Sequence, residues 1–556
     1  MAENPARKWW ALIAIAASVL VVGLDLTVLN LALPTIATDL HASTSDLQWI
    51  SDSYSLVLAA AMLPAGLLGD RLGRKKVLLV ALILFGVSSA ACAYATSTGE
   101  LIAARALLGI GAAAIFPLSL SVIPVLFAPA ERQKAIALMA SATFISFPIG
   151  PIVGGYLLDH FWWGSVFLIN VPVVVLAVIA VAILLPESRS AQRPSVDYLG
   201  VILSSAGLAG LTYGFIKAGQ DGWTDAAAVG TIAAGVAVLV VLVAWERWLT
   251  GRNRPGEDGA DGGNLRGGKV RPLIELRLFR SAGFTWGTIL STLVSFAMFG
   301  IFFAMPLYFQ EVRGVNAMGS GLRLLPMIGG MIIGMIGGTR LASPRKAADG
   351  QLRTPMASGK GLVTTGFAIM AVMLGFGATT TVNSGTGFAA AWFAAFGLGL
   401  GLAMPQAMNA ALSALSAERS GSGSALISAL RQVGATIGVA VLGTVLGSVY
   451  SSHLVVTGLP AAAAAAAKSS VVAGVAVAHT LGSAALLDSV RHAFVQGMDT
   501  MLWICGGIAL ASAILAFLFL PRRAEGVPGA SGVPGGESAT PAATGESGPD
   551  RAELEV

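Results

Sequence analysis

Charge is scarce in this chain. Lys and Arg number 34 and Asp and Glu 29 among 556 residues, 11% in all. A soluble domain needs roughly a quarter of its residues charged to cover its surface, so a string of water-soluble domains is excluded. Cysteine is nearly missing, and Cys92 and Cys505 both fall in apolar runs, which excludes a disulfide framework. No His or Cys cluster has metal-ligand spacing, and no metal or other cofactor is expected. No Gly-x-x-x-x-Gly-Lys-[Ser/Thr] phosphate loop occurs, which argues against an ATP-driven pump. The net charge of +5 is small for the length, and no nucleic-acid partner is expected. What is abundant is apolar: 55% of residues are hydrophobic and the mean hydropathy is +0.78. Disorder fails on the same count, and an all-α polytopic membrane protein with helices of about 20 residues remains.

Long apolar stretches with few charges place fourteen transmembrane helices. They lie near 10–34, 47–68, 77–96, 102–126, 136–158, 165–185, 198–216, 226–246, 284–309, 319–338, 358–378, 386–415, 422–449 and 498–520. Loops after the even-numbered spans carry the basic residues, among them Arg71, Arg74, Lys75 and Lys76, then Arg132 and Lys134, then Arg340, Arg345 and Lys346. The intervening loops are poor in them: 35–46 has no Lys or Arg, and 451–497 has only Lys468 and Arg491. Basic loops stay in the cytoplasm, so both termini are expected inside. The alternation checks the helix count, because one missed span would reverse every later loop. All five histidines fall on the outer side and read as inert loop residues.

Outside the spans, 251–271 reads as a flexible linker, and 272–281 alternates apolar and basic residues like a short helix on the inner membrane surface. The outer loop 451–497 is apolar enough for a helical or hairpin element against the outer mouth. The tail 521–556 has a disordered composition.

Charges inside lipid are expensive and usually mark ion or substrate paths. Here they are Asp25, Asp52, Arg105 and Arg431, with Glu311, Arg323 and Asp499 close to span ends. At 1.5 Å per residue, Asp25 lies roughly 22 Å into the first span, in its outer half, and Asp52 about a turn and a half from the outer end of the second. A carboxylate in apolar surroundings can hold either a proton or a lipophilic cation, and competition between the two gives antiport once access alternates. Trp49 stands three residues before Asp52 on the same helix face, where an aromatic ring suits a cation or, equally, an interfacial anchor.

Several segments then resemble a known family in order along the chain. Gly66, Gly69, Asp70, Arg71, Gly73, Arg74, Lys75 and Lys76 closely resemble the signature loop of the major facilitator superfamily. The resemblance implies a tight turn and a charge network that latches the cytoplasmic face, with Gly66, Asp70, Arg71, Gly73 and Arg74 as its parts. Asp25, Thr27, Asn30 and Pro34 are similar to the first-helix motif of the fourteen-helix drug:proton antiporter branch, and Arg105 with Gly109 and Gly111 to a fourth-helix motif linked to proton transfer. Gly150, Pro151, Gly154 and Gly155 resemble the fifth-helix antiporter motif, whose small residues permit close packing. Phe167, Asn170 and Pro172, then Gly219, Gly222 and Trp223, then Arg431, Gln432 and Gly434 match further positions of the branch. Trp163-Gly164-Ser165 and the Trp49–Asp52–Tyr54 stretch look more like exporters of quaternary ammonium compounds and cationic dyes. The second-half counterpart of the signature loop, around Gly337 and Arg340, lacks the Asp, so a symmetric latch is doubtful.

The resemblance implies a major-facilitator fold: six-helix bundles at 1–185 and 283–520, joined through 186–282 with two inserted helices and the surface helix. The inserted pair is expected to be a lipid-facing bracket. It also implies a proton-coupled multidrug exporter in a bacterial cytoplasmic membrane, a monomer surrounded by lipid, whose partners are protons and lipophilic drug-like molecules. Asp25, Arg105 and Asp52 are its proton-coupling candidates, and Asp52, Trp49, Tyr54, Asn30 and Glu311 its substrate-binding candidates. A dedicated exporter of one natural product or lipid is the alternative, with the same proton chemistry. An uptake symporter is disfavoured by the 150–155 motif, and an enzyme is not expected.

Overall fold

The computed structural model describes residues 5–42, 44–188, 197–252, 273–274, 276–342, 345–346, 352–353, 356–413, 415 and 420–521. Most of the linker and the tail beyond 521 therefore lie outside the described residues. The first half comprises α1 Pro5–Asp39, α2 Thr44–Leu72, α3 Arg74–Ala93, α4 Thr98–Leu126, α5 Pro129–His160, and the pair α6 Ser165–Leu168 and α7 Asn170–Leu184. Two helices follow, α8 Tyr198–Asp221 and α9 Ala226–Arg252. The second half comprises α10 Ala282–Leu307, α11 Ala317–Ala342, α12 Gly359–Gly377, α13 Thr386–Ser413 and α14 Ser420–His453. It closes with α15 Ala461–Ser469, α16 Val471–Thr480 and α17 Ala484–Phe519. Among the described residues, 13 stretches are long and apolar enough to cross a membrane. The helix α5, 32 residues long, occupies the place of the remaining expected span.

Local chemistry sets the ends. Ser97, Asp197, Ser281, Ser358 and Ser483 each accept a backbone N–H of the following helix, satisfying donors that no earlier carbonyl in the helix can reach. The sixth span breaks at Ile169, because Pro172 has no N–H to give the Leu168 carbonyl. The tenth helix runs on into a π-helical turn, Tyr308–Val312. Of the expected surface helix over 272–281, Leu276–Arg280 is present as a 3-10 segment. Two short strands, β1 Arg345–Lys346 and β2 Leu352–Arg353, pair antiparallel between α11 and α12.

The two halves repeat one another. In the first, α1 packs on α5 and α7, α2 on α4, and α3 on α4 and α7. In the second, α10 packs on α14 and α17, α11 on α13, and α12 on α13 and α17. Each helix of one half thus has a counterpart with equivalent neighbours, the arrangement of parallel repeats around a central site. The halves meet at two seams, α2 with α14 and α5 with α11, which exchange under the same correspondence.

The inserted pair breaks that symmetry. Besides packing on α9, α8 lies against both α2 and α14 and so covers one seam only. It is more than a bracket facing lipid; α9 carries more of the exposed apolar surface, including Val236, Val240 and Val241, and α8 adds Leu199 and Ile202. At the end away from the signature loop, the last membrane helix begins at Ala484, fourteen residues before the expected 498. Asp488, Arg491 and His492 lower the local hydropathy, yet Leu486, Val490, Ala493 and Phe494 keep helical spacing and are buried. Of the helical or hairpin element expected before it, the helices α15 and α16 are present, with the Tyr450 hydroxyl of α14 donating to the Ala467 carbonyl at 2.7 Å.

Candidate functional site

The charged groups of the first half converge inside it. Asp25 of α1 and Arg105 of α4 are 2% and 1% exposed and form an ion pair with Nη1 2.6 Å from Oδ2. The Arg105 Nε–H donates to the Ile50 carbonyl at 3.1 Å, and the guanidinium lies 4.5 Å from the Tyr54 ring centroid. Asn170, the first residue of α7, donates to Asp25 Oδ1 at 3.4 Å and to Ser89 Oγ at 3.0 Å. Four helices therefore hold one carboxylate. A buried pair of this kind is sensitive to a single proton: neutralising Asp25 leaves Arg105 uncompensated in a low-dielectric interior.

Beside it, between the halves, lies an apolar cavity. Gly23 and Leu26, which flank Asp25 on α1, line it, whereas Asp25 turns away into its own half. The walls are Met-rich and aromatic, with Met62, Met139, Met404, Met408, Phe116 and Phe299. Arg431 and Gln432 of α14 enter the lining, and among the described residues no Asp or Glu does.

Asp52 and Trp49 point elsewhere. The Gln220 amide of α8 donates to Asp52 Oδ2 at 2.9 Å, and Trp49 stacks on Tyr213 of the same helix with centroids 6.3 Å apart. Neither lines the cavity, and neither does Tyr54, which is buried against Arg105. Glu311 sits half-buried in the π-turn, outside the lining and within electrostatic reach of His479. The side chain of Asn30 falls outside the described residues, as does that of Pro34. The 219–223 motif has a local explanation in α8: Gly219 lets the helix approach Ala440, Gly222 takes φ +99°, and Trp223 Nε1–H donates to Thr444 Oγ1 of α14 at 3.1 Å.

At the opposite end the signature loop ties the halves together. Asp70 Oδ1 accepts from Arg74 Nη2 at 2.7 Å and from the Gly421 N–H at 3.0 Å, while Oδ2 accepts from the Ser422 N–H at 2.7 Å. A carboxylate on the free amides at the start of α14 also meets the positive end of the helix dipole. Gly66 permits contact with Gly421 and Ala425, and Gly73 takes φ +114° to turn into α3. Arg71 lies partly exposed beside this network. Ser424 Oγ adds a bond to the Pro117 carbonyl at 2.9 Å. Among the described residues the other seam has no such carboxylate and is joined by packing, with Ser141 Oγ 3.5 Å from Met335 Sδ. This is the end with the basic loops, so the halves are closed on that face.

The antiporter motif lies between these sites. A methyl at Gly150 would strike Thr27, and one at Gly154 would strike Val28, so both glycines set how closely α5 approaches the turn of α1 that follows Asp25. Pro151 and Gly155 are buried on the same helix. The sequence marks Asn170 only as a motif position, and Arg431 as a motif position and a membrane charge; their partners, Asp25 and Ser295, come from distant helices.

Comparison with known proteins agrees with this architecture. The chain is 34% identical over 394 residues to the tetracenomycin C resistance and export protein of Streptomyces glaucescens, covering 71% of this chain and 67% of that protein. It is 35% identical over 371 residues to the multidrug efflux pump LfrA of Mycolicibacterium smegmatis, covering 66% and 68% respectively. The solved structure of the proton:xylose symporter XylE superposes with a TM-score of 0.59 at 14% identity, over 93% of this chain and 97% of that one, a likeness of fold. Residues 15–439 match the profile of the Major Facilitator Superfamily, and with its repeated halves, central cavity and signature latch the chain belongs to that superfamily of transporters.

Proposed function

We propose that this protein exports lipophilic drug-like molecules in exchange for protons. The observation that carries the reading is the buried Asp25–Arg105 pair on the helix whose neighbouring residues, Gly23 and Leu26, line the apolar cavity. A proton arriving at Asp25 discharges the carboxylate and releases Arg105 to its remaining acceptor, the Ile50 carbonyl. The turn of α1 bearing Thr27 is packed without slack on Gly150, so a shift of that turn is passed to α5 and to the α5–α11 seam. Breaking the Asp70 bonds to α14 then opens the cytoplasmic face. Proton loss restores the pair and favours the closed latch. Cargo and proton need not touch; they are linked because each biases the same rocking equilibrium.

Relatives named both for a single antibiotic and for many drugs support export and leave two ranges open, one dedicated and one broad. The setting we infer is a bacterial cytoplasmic membrane, with both termini inside and the monomer surrounded by lipid. The deciding experiment uses energised inverted vesicles containing the protein and a pH-sensitive dye. Adding a transported compound should release protons from the lumen in the wild type and not in Asp25→Asn. Proton release that persists in Asp25→Asn would sink the assignment of coupling to Asp25.

A further inference from the structure

Among the described residues that line the cavity Arg431 is the charged one, and its surroundings are unlike those of the other deeply placed arginines. Arg74 and Arg105 are each buried against a carboxylate, Asp70 and Asp25. Among the described residues Arg431 has no ion-pair partner; its Nε–H donates to Ser295 Oγ at 3.3 Å, and Ser295 is itself held by the Ser291 carbonyl at 3.1 Å. That contact engages Nε, and among the described residues the Nη donors of this cavity-lining side chain have no hydrogen-bond partner. One turn earlier on the same wall of α14 stands Ser428, 6% exposed, whose Oγ is buried with no hydrogen-bond partner. A guanidinium and an orphaned hydroxyl, three residues apart on one helix face, present donors to an oxygen that the protein does not supply.

The remaining lining is apolar and polarizable, with Met62, Met139, Met404 and Met408 around Phe116 and Phe299. Thioethers and ring faces suit a flat aromatic body of variable outline. A cation entering here meets the charge of Arg431 with no carboxylate in the lining to balance it, since both oxygens of Asp25 are engaged by Arg105 and Asn170. An anion gains the partner that the guanidinium lacks.

We propose that the cargo of this cavity is a lipophilic organic acid carried as its anion: a fused aromatic molecule whose carboxylate or phenolate oxygen is received by Arg431 Nη and Ser428 Oγ. Ser295 acts as a positioning residue for Arg431. The inference rests on the export reading, and the test separates the two. It also departs from the cationic cargo suggested by the Trp49–Asp52 stretch, whose side chains are engaged by α8.

The experiment compares one fused aromatic core bearing a carboxylate, a carboxamide or a trimethylammonium group, titrated into the purified full chain with binding followed calorimetrically. The carboxylate should bind at least about tenfold more tightly than the trimethylammonium form, a difference readily resolved in dissociation constants. Arg431→Gln should weaken the carboxylate about ten- to hundredfold, the range of a hydrogen-bonded charge, and leave the carboxamide within about threefold. Ser428→Ala should produce a smaller loss confined to the carboxylate. Equal or tighter binding of the trimethylammonium form by the wild type overturns the proposal, and needs no variant to fold. So does equal weakening of all three compounds in an Arg431→Gln protein that melts like the wild type. Proteoliposomes with an imposed proton gradient then separate the readings. Gradient-driven movement of the ammonium compound but not the carboxylate refutes the cargo and keeps the exporter. Selective carboxylate binding with no gradient-driven movement of any compound refutes the proton-coupled export and keeps the site.

Discussion

Replacing Asp70 with asparagine should open the cytoplasmic face, and the size of the effect follows from which bonds the rocking motion breaks. The Asp70–Arg74 pair is local, four residues apart, and travels with the first half in either conformation. Of the Asp70 bonds among the described residues, those from the Gly421 and Ser422 amides, at 3.0 and 2.7 Å, cross to the second half. Hydrogen bonds to a charged group are worth about 1.5–3 kcal/mol each, and a neutral one about 1 kcal/mol. Asparagine keeps one acceptor oxygen and turns an NH2 group toward the other amide, and it forfeits the attraction to the α14 terminus, a further ~0.3–1 kcal/mol. The closed state should therefore lose about 2–4 kcal/mol relative to the open one, moving the equilibrium about 30-fold to several hundredfold. Spin labels at Lys134 and Arg340, both exposed near the ends of α5 and α11 on the side of the latch, would report the change as a longer distance population. The native Cys92 and Cys505 are buried and should not compete for the label. A variant with the wild-type distance distribution and wild-type transport would show that the latch does not set the equilibrium.

Other substitutions test other links. Arg105→Gln should cost about 3–5 kcal/mol of stability by stranding Asp25, and adding Asp25→Asn should recover the melting temperature without recovering proton coupling; a double variant as unstable as the single would refute the pairing argument. Gly150→Ala introduces a methyl into Thr27 and should cost about 1–3 kcal/mol and impair transport, with Thr27→Ala restoring much of both; an unaffected Gly150→Ala would mean that the α1–α5 approach is not limiting. Asp52→Asn retains an amide oxygen for Gln220, so carboxylate and carboxamide transport should stay within about threefold, the scale of a weakened exposed hydrogen bond. A loss confined to cationic compounds would instead return a cation site to Asp52.

The sequence marked single residues better than it marked partners. Asp25 and Arg105 stand out because a charge in an apolar run has no cheap explanation, and Asp70 because it stands in the signature loop. Asn170 carried no such signal: it is uncharged, 145 residues from Asp25, and its place depends on the break before α7. The partners of Asp70 on α14 are backbone amides, which no residue type betrays. The position of α8 was hidden for another reason. Lipid-facing and helix-facing surfaces are both apolar, so hydropathy cannot tell a bracket from a cover over a seam; the small Gly219 and the polar Gln220 and Trp223 were the usable signs. Arg431 was visible as a membrane charge, but its exclusion from any ion pair among the described residues required the packed helices around it.

The choice between an anionic and a cationic cargo also decides what one proton can do. Asp25 is the carboxylate joined to Arg105 at the heart of the first half, so one proton per cycle is the simplest stoichiometry for it. Exchanging one entering proton for one departing monovalent cation moves no net charge and draws on the pH gradient alone. Exchanging it for a departing monoanion carries two positive charge equivalents inward, each worth about 2.3 kcal/mol per 100 mV of inside-negative potential. At 100 mV this adds about 4.6 kcal/mol, equivalent to a concentration ratio above a thousandfold. A single buried acid therefore suffices to concentrate an organic anion outside the cell, whereas a cation exporter with the same acid would need further protons or a steep pH gradient. The lack of any Asp or Glu in the cavity lining and the presence of Arg431 there belong to the same economy of charge.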